Sequence, residues 1–118
     1  MVVDDSRIMR NIVKNTFELL RIPVQFLEAA DGRQALDILL SSKIDLVLLD
    51  WNIPSMSGIE FLKKVRSMDN YRHTPIVMVT SEASKLNIVE AVTAGVTAYI
   101  IKPFSEKIFV EKLSKIEF

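Results

Sequence analysis

The feature that most constrains the fold is a short apolar stretch that ends in an acid. Residues 46–49 read Leu-Val-Leu-Leu, and Asp50 follows at once. A run of this kind predicts a strand that is buried on both faces, as in a parallel sheet. Open α/β sheets bind their ligands at the carboxyl ends of their strands, so Asp50 lies where a functional acid is expected. Taken alone, the same residue could equally be an acid that opens a turn.

Strand-like and helix-like segments alternate along the whole chain. Apolar runs predict strands at residues 1–3, 24–28, 45–49, 76–79 and 98–101. Helical spacing of apolar residues predicts helices at 6–20, from 31 to about 40, and at 57–68, 84–94 and 105–116. The first helix is predicted to turn Ile8, Ile12, Phe17 and Leu20 inward.

Five strands that alternate with five helices predict an α/β fold with helices on both faces of a parallel sheet, in three layers. Right-handed crossovers leave few arrangements, and the flavodoxin-like, doubly wound strand order 2-1-3-4-5 is common at this size. The chain has 118 residues, which is enough for one domain, and we expect a single domain over residues 1–118.

Composition excludes several classes of function. The formal net charge is zero, which speaks against electrostatic binding of nucleic acid or of an anionic membrane. No stretch approaches the ~18 apolar residues of a membrane span, and no leader resembles a signal peptide. The chain has no cysteine and one histidine, so thiolate chemistry and multi-histidine metal sites are excluded. These observations lead us to expect a cytoplasmic protein.

The predicted strand order brings the polar strand ends together. Strand 1 ends in Asp4 and Asp5, strand 3 in Asp50, strand 4 in Thr80, and Lys102 follows strand 5. Crowded carboxylates repel one another, and Mg²⁺ relieves that repulsion with the oxygen ligands it prefers. A lysine and a hydroxyl suit phosphoryl oxygens, and an aspartate can accept a phosphoryl group. The set predicts in-line, magnesium-assisted phosphoryl transfer.

Four blocks of the sequence resemble the signature motifs of response-regulator receiver domains. They are Val2-Val3-Asp4-Asp5-Ser6, Asp50-Trp51-Asn52-Ile53-Pro54-Ser55-Met56-Ser57-Gly58, Val79-Thr80-Ser81-Glu82-Ala83 and Lys102-Pro103-Phe104. The resemblance covers nearly the whole chain and is closest to single-domain chemotaxis regulators of the CheY type. One departure is the short first strand, which in the family has further apolar residues ahead of this block. We expect either a truncated start or a less stable domain.

The resemblance implies a role for each residue of the cluster. Asp50 would accept the phosphoryl group from a histidine kinase, and Thr80 and Lys102 would bind the phosphoryl oxygens. Asp5, Asp50 and the backbone carbonyl of Asn52 would bind Mg²⁺, with Asp4 reaching the ion through water. The Lys102–Pro103 bond would be cis. Asn52 and Glu82 are predicted to tune self-dephosphorylation from opposite sides of the phosphoryl group.

The resemblance also implies a switch and a set of partners. Thr80 would move toward the phosphoryl group and Tyr99 would turn inward, which would reshape a face made by helix 4, strand 5 and helix 5. That face carries Lys85, Ile88, Val92, Tyr99, Lys112 and Lys115 and suits an amphipathic helix with acidic residues. The expected output protein is a component such as the flagellar motor switch, with a phosphatase as a further partner. The protein would act as a signalling phosphoacceptor rather than an enzyme.

Four other interpretations compete with this one. A haloacid-dehalogenase-type phosphatase would need an acid at position 52, where this chain has Asn, and more residues than 118. A nucleotide-binding flavodoxin-like domain would need a phosphate-binding loop, but the three glycines are scattered. A receiver-like docking module that is never phosphorylated usually lacks one of the acids, the Thr or the Lys. A receiver cut from a larger regulator remains open.

Overall fold

The computed structural model describes residues 1–118 and contains one sheet of five parallel strands. The spatial order is β2-β1-β3-β4-β5, as predicted. The strands are β1 (Val2–Val3), β2 (Glu28–Ala29), β3 (Val47–Leu49), β4 (Ile76–Thr80) and β5 (Ala98–Ile101). The four pairs of neighbouring strands are all parallel, so every strand ends at the same edge of the sheet.

Five α-helices alternate with the strands. They are α1 (Arg7–Leu19), α2 (Gly32–Ser41), α3 (Gly58–Arg66), α4 (Lys85–Thr93) and α5 (Glu106–Ser114), and a short 3₁₀ turn spans Asp69–Tyr71. Each α-helix begins after a Ser or Asp whose side chain accepts the N–H three residues on, which satisfies a donor that the helix itself cannot. These N-caps are Ser6, Asp31, Ser57, Ser84 and Ser105.

The sheet separates two apolar cores, which gives the three predicted layers. Phe61 and Leu62 of α3 and Leu39 of α2 are buried on one face of the sheet. Phe17 of α1 and Phe109 of α5 are buried on the other, with their rings edge to face at a centroid distance of 5.8 Å. Burial of β3 and β4 from both sides explains why their sequences are apolar throughout.

Two details of the prediction were wrong. Phe17 of α1 is buried as predicted, but Ile8 and Ile12 are 74% and 43% exposed. Val13 and Thr16 complete the buried face of the helix in their place. The Thr16 hydroxyl donates to the Ile12 carbonyl oxygen at 2.8 Å, so this polar side chain is buried without losing a hydrogen bond.

The second strand is also shorter than the prediction of 24–28, since it covers only Glu28–Ala29. β1 is limited to Val2–Val3, as its sequence indicated. The predicted cis bond between Lys102 and Pro103 is present. None of the helices combines the length and the apolar character that crossing a membrane requires.

Candidate functional site

Three aspartates meet at the carboxyl ends of β1 and β3, which are neighbours in the sheet. Asp4 and Asp5 follow β1, Asp50 follows β3, and one carboxylate oxygen from each lies within 4.8 Å of the others. Asp4 and Asp50 are only 4% and 8% exposed, whereas Asp5 faces solvent. Two buried carboxylates side by side cost free energy unless a positive charge compensates them.

Lys102 supplies that positive charge. Its Nζ donates to Asp4 Oδ2 at 2.7 Å and to Asp50 Oδ2 at 3.1 Å. Burial alone would lower the pKa of Lys102, but the hydrogen bond to Asp4 and the charge of Asp50 outweigh burial and raise the pKa above its usual value. Lys102 is therefore a firmly charged ammonium, and the cluster of one cation and three acids keeps an excess of negative charge.

The three acids differ in how many hydrogen bonds their carboxylate oxygens accept from the protein. Asp4 accepts the Ser6 N–H through Oδ1 at 2.9 Å and Lys102 through Oδ2, so both of its oxygens are occupied. Asp5 accepts no hydrogen bond from the protein, and Asp50 Oδ1 accepts only a long one, from the Asn52 N–H at 3.4 Å. Free carboxylate oxygens on Asp5 and Asp50 suit a hard divalent cation such as Mg²⁺.

Thr80 brings a hydroxyl to the same edge of the sheet from β4. The strand pairs in register with β3, with Leu49 opposite Met78, so Thr80 lies level with the loop that follows Asp50. Thr80 is fully buried, and its Oγ1 accepts the Glu82 N–H at 3.3 Å. The Lys102 N–H donates to the Thr80 carbonyl oxygen at 2.9 Å, which ties the lysine to the end of β4.

Asn52 and Glu82 face each other across the mouth of the site. The Asn52 side-chain amide donates to Glu82 Oε1 at 2.7 Å, joining the loop after β3 to the loop after β4. The sequence analysis predicted these residues on opposite sides of a phosphoryl group, and the structure shows that their side chains are in direct contact. The other carboxylate oxygen, Oε2, accepts the Asn87 side-chain amide at 3.1 Å. Asn87 was missed by the sequence analysis, because an Asn in the first turn of a helix carries no chemical signature.

Tyr99 is connected to the site through Glu82. Its hydroxyl donates to the Glu82 carbonyl oxygen at 2.5 Å, and its side chain is half-buried on β5. Burial, followed by the negative charges of Glu82 and Asp50, raises the pKa of Tyr99 above its usual value. The phenol therefore stays protonated and acts as a hydrogen-bond donor, whose partner the sequence could not identify.

Gly58 lets the loop after Asp50 fold back against the start of α3. A Cβ at this position would lie 2.1 Å from the Asp50 carbonyl oxygen and 2.8 Å from the Trp51 Cα. The Gly58 N–H also donates to the Trp51 carbonyl oxygen at 2.8 Å. The close approach requires glycine and fixes the backbone that carries the acid.

The predicted partner face is open to solvent and carries unpaired cations. Lys85, Val92, Lys112 and Lys115 are exposed, Ile88 and Tyr99 are half-buried, and none of the three lysines forms an ion pair. The structure adds two exposed apolar residues of α4 that the prediction omitted, Leu86 and Val89. The face therefore mixes apolar and cationic groups, as the sequence indicated.

An apolar cavity lies away from the acids. A cavity of about 330 Å³ opens between the end of α1, the segment before β2 and the segment before β3, with Phe17, Phe26 and Leu46 in its wall. It contains none of the predicted site residues. The charged cluster of Asp4, Asp5, Asp50 and Lys102 lies at the opposite edge of the sheet, where the strands end.

Comparison with known proteins assigns the chain to a family. Residues 1–114 match the response regulator receiver domain. The chain belongs to this family. It is 42% identical over 116 residues to the chemotaxis protein CheY of Pseudomonas aeruginosa, which covers 98% of this chain and 93% of that protein. The match extends over the acids, the hydroxyl and the lysine described above.

Solved structures agree with this assignment. The receiver fold superposes on Vibrio cholerae chemotaxis protein CheY4 with a TM-score of 0.86 and 35% identity, covering 98% of this chain and 95% of that one. The receiver domain of the sensor histidine kinase PA1611 from Pseudomonas aeruginosa, solved with magnesium in its active-site cleft, shares the fold at 24% identity and a TM-score of 0.84, covering 97% and 92%. The receiver is a two-component response regulator homologous to the chemotaxis regulator CheY. A docking module that is never phosphorylated is not favoured.

Proposed function

We propose that Asp50 accepts a phosphoryl group from the phosphohistidine of a histidine kinase. The observation that carries this proposal is the position of Asp50 itself, a buried strand-end acid with one oxygen held by Lys102 at 3.1 Å. An Asp50 carboxylate oxygen would attack phosphorus while the bond from phosphorus to the histidine nitrogen breaks. The imidazole then leaves and takes up a proton, and the product is an aspartyl phosphate.

Asp5, Asp50 and the Asn52 backbone carbonyl would hold Mg²⁺, with Asp4 reaching it through water. Support comes from the free oxygens of Asp5 and Asp50, and from the magnesium in the related PA1611 receiver. When bound, the ion would neutralise charge on the acids and on the transferring group. Asp4 keeps Lys102 in place, so its main contribution is to position the ammonium.

Lys102 and Thr80 would bind the phosphoryl oxygens once the group is attached. The Lys102 Nζ already contacts the acceptor, and a phosphoryl oxygen would take the place of one carboxylate contact. Thr80, the last residue of β4, is fully buried, whereas the next hydroxyl along the chain, that of Ser81, belongs to an exposed residue. Hydrolysis would follow when water attacks phosphorus and the Asp50 oxygen leaves, with Asn52 and Glu82 controlling the water.

The switch would start at the Thr80 hydroxyl. A Thr80 that turns toward the phosphoryl group can no longer accept the Glu82 N–H in the same geometry. The Glu82 carbonyl oxygen holds the Tyr99 hydroxyl, so movement of this loop would release Tyr99 and let it turn inward. The charge added by phosphorylation would thus shift the equilibrium between two positions of the Glu82 loop and of Tyr99.

The output partner would bind the face formed by α4, β5 and α5. Exposed Lys85, Lys112 and Lys115 beside apolar Val92 suit an amphipathic helix with acidic residues, such as one from a flagellar motor switch protein. We infer a cytoplasmic signalling role for residues 1–118 as one receiver domain, with a phosphatase as a further partner. We further infer that the protein assists its own phosphorylation and dephosphorylation but transforms no separate substrate.

Trp51, next to the acceptor and half-buried, reports on this chemistry. Its fluorescence should change when Mg²⁺ is added, and should change again with acetyl phosphate as a small phosphodonor. In the Asp50→Asn variant the donor-dependent change should disappear. A donor-dependent change of equal size in that variant would contradict the assignment of Asp50 as the acceptor.

A further inference from the structure

The carboxylate of Glu82 is held by two amides from different parts of the chain. Asn52 donates to Oε1 at 2.7 Å from the loop after β3, and Asn87 donates to Oε2 at 3.1 Å from the first turn of α4. Both oxygens of a loop residue are therefore engaged at once. A glutamate at the mouth of a charged site, which would otherwise sample several rotamers, is fixed in one position.

The backbone of Asn87 is fixed independently of its side chain. The Asn87 N–H donates to the Ser84 side chain at 3.2 Å, which caps α4. In a capping box the side chain of this third helical residue turns back to the N-cap N–H. Here the Asn87 amide is directed to Glu82 instead. A polar side chain that the helix start does not use is thus aimed at the mouth of the site.

We propose that Asn87 is a positioning residue for Glu82 and that it sets the lifetime of the aspartyl phosphate. The inference rests on the proposed phosphorylation of Asp50 and on a role for Glu82 in controlling the attacking water. With Asn87 in place, the Glu82 carboxylate stays beside Asn52. Without it, a single solvent-exposed hydrogen bond to Asn52 remains, and the carboxylate spends less time in the position that orients water.

Truncating Asn87 should therefore slow dephosphorylation. The loss of one ordinary hydrogen bond corresponds to about a twofold to tenfold change in the population of the held conformer. We expect Asn87→Ala to lengthen the phosphate lifetime by about this factor. The Asn87 N–H is retained in the variant, so the cap of α4 is unaffected.

The experiment measures decay of the phosphorylated protein after removal of acetyl phosphate, with Mg²⁺ present. It compares the wild type with Asn87→Ala, Glu82→Ala and the double variant. We expect both single variants to slow the decay and the double variant to decay at the rate of Glu82→Ala. An equal effect of Asn87→Ala with and without Glu82, or no effect at all, would overturn the proposal.

Two controls separate positioning from stability. Ser84→Ala removes the cap of α4 but leaves the Asn87 amide, and Asn15→Ala removes an exposed amide of α1 that forms no hydrogen bond. Neither should lengthen the lifetime, and an effect of Ser84→Ala equal to that of Asn87→Ala would assign the change to helix stability and overturn the positioning role.

If no phosphorylated protein forms in the wild type, the proposed function fails as well. A phosphorylated wild type with an unresponsive Asn87 refutes only the present inference.

Discussion

Replacing Asp5 with Asn should stabilise the protein in the absence of metal. The Asp5 carboxylate has an oxygen within 4.8 Å of oxygens of both Asp4 and Asp50, yet it takes no part in the contacts with Lys102. Asp5→Asn therefore removes two repulsions and none of the ion pairs in the cluster.

The size of the effect follows from that distance. Two unit charges 4.8 Å apart repel by about 1 kcal/mol in water and about 3.5 kcal/mol at an effective dielectric constant of about 20. Asp5 is exposed, so the lower value applies and salt screens part of it. We expect a gain of about 1 to 2 kcal/mol in the free energy of unfolding, or about 3 to 8 °C in Tm.

Thermal denaturation followed by circular dichroism, with chelator and then with millimolar Mg²⁺, tests this expectation. The wild type should gain stability with Mg²⁺, because binding to the folded state stabilises it, and Asp5→Asn should respond far less. Asp37→Asn is a matched control, since Asp37 is exposed on α2 and its carboxylate has no hydrogen-bond partner. A lower Tm for Asp5→Asn in chelator, together with an undiminished response to Mg²⁺, would refute the reasoning.

Three further perturbations follow from the same structure. Lys102→Met leaves the buried carboxylates of Asp4 and Asp50 without their cation, so urea denaturation should show a loss of about 3 kcal/mol, whereas an unchanged midpoint would contradict the ion-pair role. Gly58→Ala forces a Cβ against the Asp50 carbonyl oxygen, so we expect a loss of about 1 to 3 kcal/mol in denaturation and slower phosphorylation, and a wild-type rate would show that the loop adapts freely. Burial, opposed by the charge of Asp45, lowers the pKa of the Met1 ammonium from 8.0 to about 6 in the folded chain that begins at this residue. Between about pH 6 and 8 the unfolded chain therefore binds more protons than the folded chain, so the free energy of unfolding should rise by about 2 to 3 kcal/mol as the pH rises across that window. Denaturation of a protein with an acetylated amino group should not show this rise.

Much of the site could be predicted because parallel strands end at one edge of the sheet. Asp4, Asp50, Thr80 and Lys102 each follow an apolar strand, so the strand order alone determines that they converge. Apolar runs of four or five residues leave little doubt about where β3 and β4 end. Two helix starts were also predicted closely, since Ser57 and Ser84, the first residues of the predicted helices, are the N-caps of α3 and α4.

The errors have physical causes that a pattern of apolar residues does not reveal. The buried stripe of α1 contains Thr16, whose hydroxyl bonds back to the Ile12 carbonyl, so apolar spacing selected the wrong face with Ile8 and Ile12. The contacts at the mouth depend on loop geometry after two different strands. The sequence therefore identified Glu82 and Asn52 as candidates but not their contact, and it missed Asn87 altogether.

The most direct test of the central claim is the mass of the intact protein after incubation with acetyl phosphate and Mg²⁺. The account predicts a gain of one phosphoryl group, located on Asp50 by peptide mapping, and no gain in chelator or in the Asp50→Asn variant. A wild type that takes up no phosphoryl group under these conditions, or a gain that persists in Asp50→Asn, would contradict the assignment of Asp50 as the phosphoacceptor.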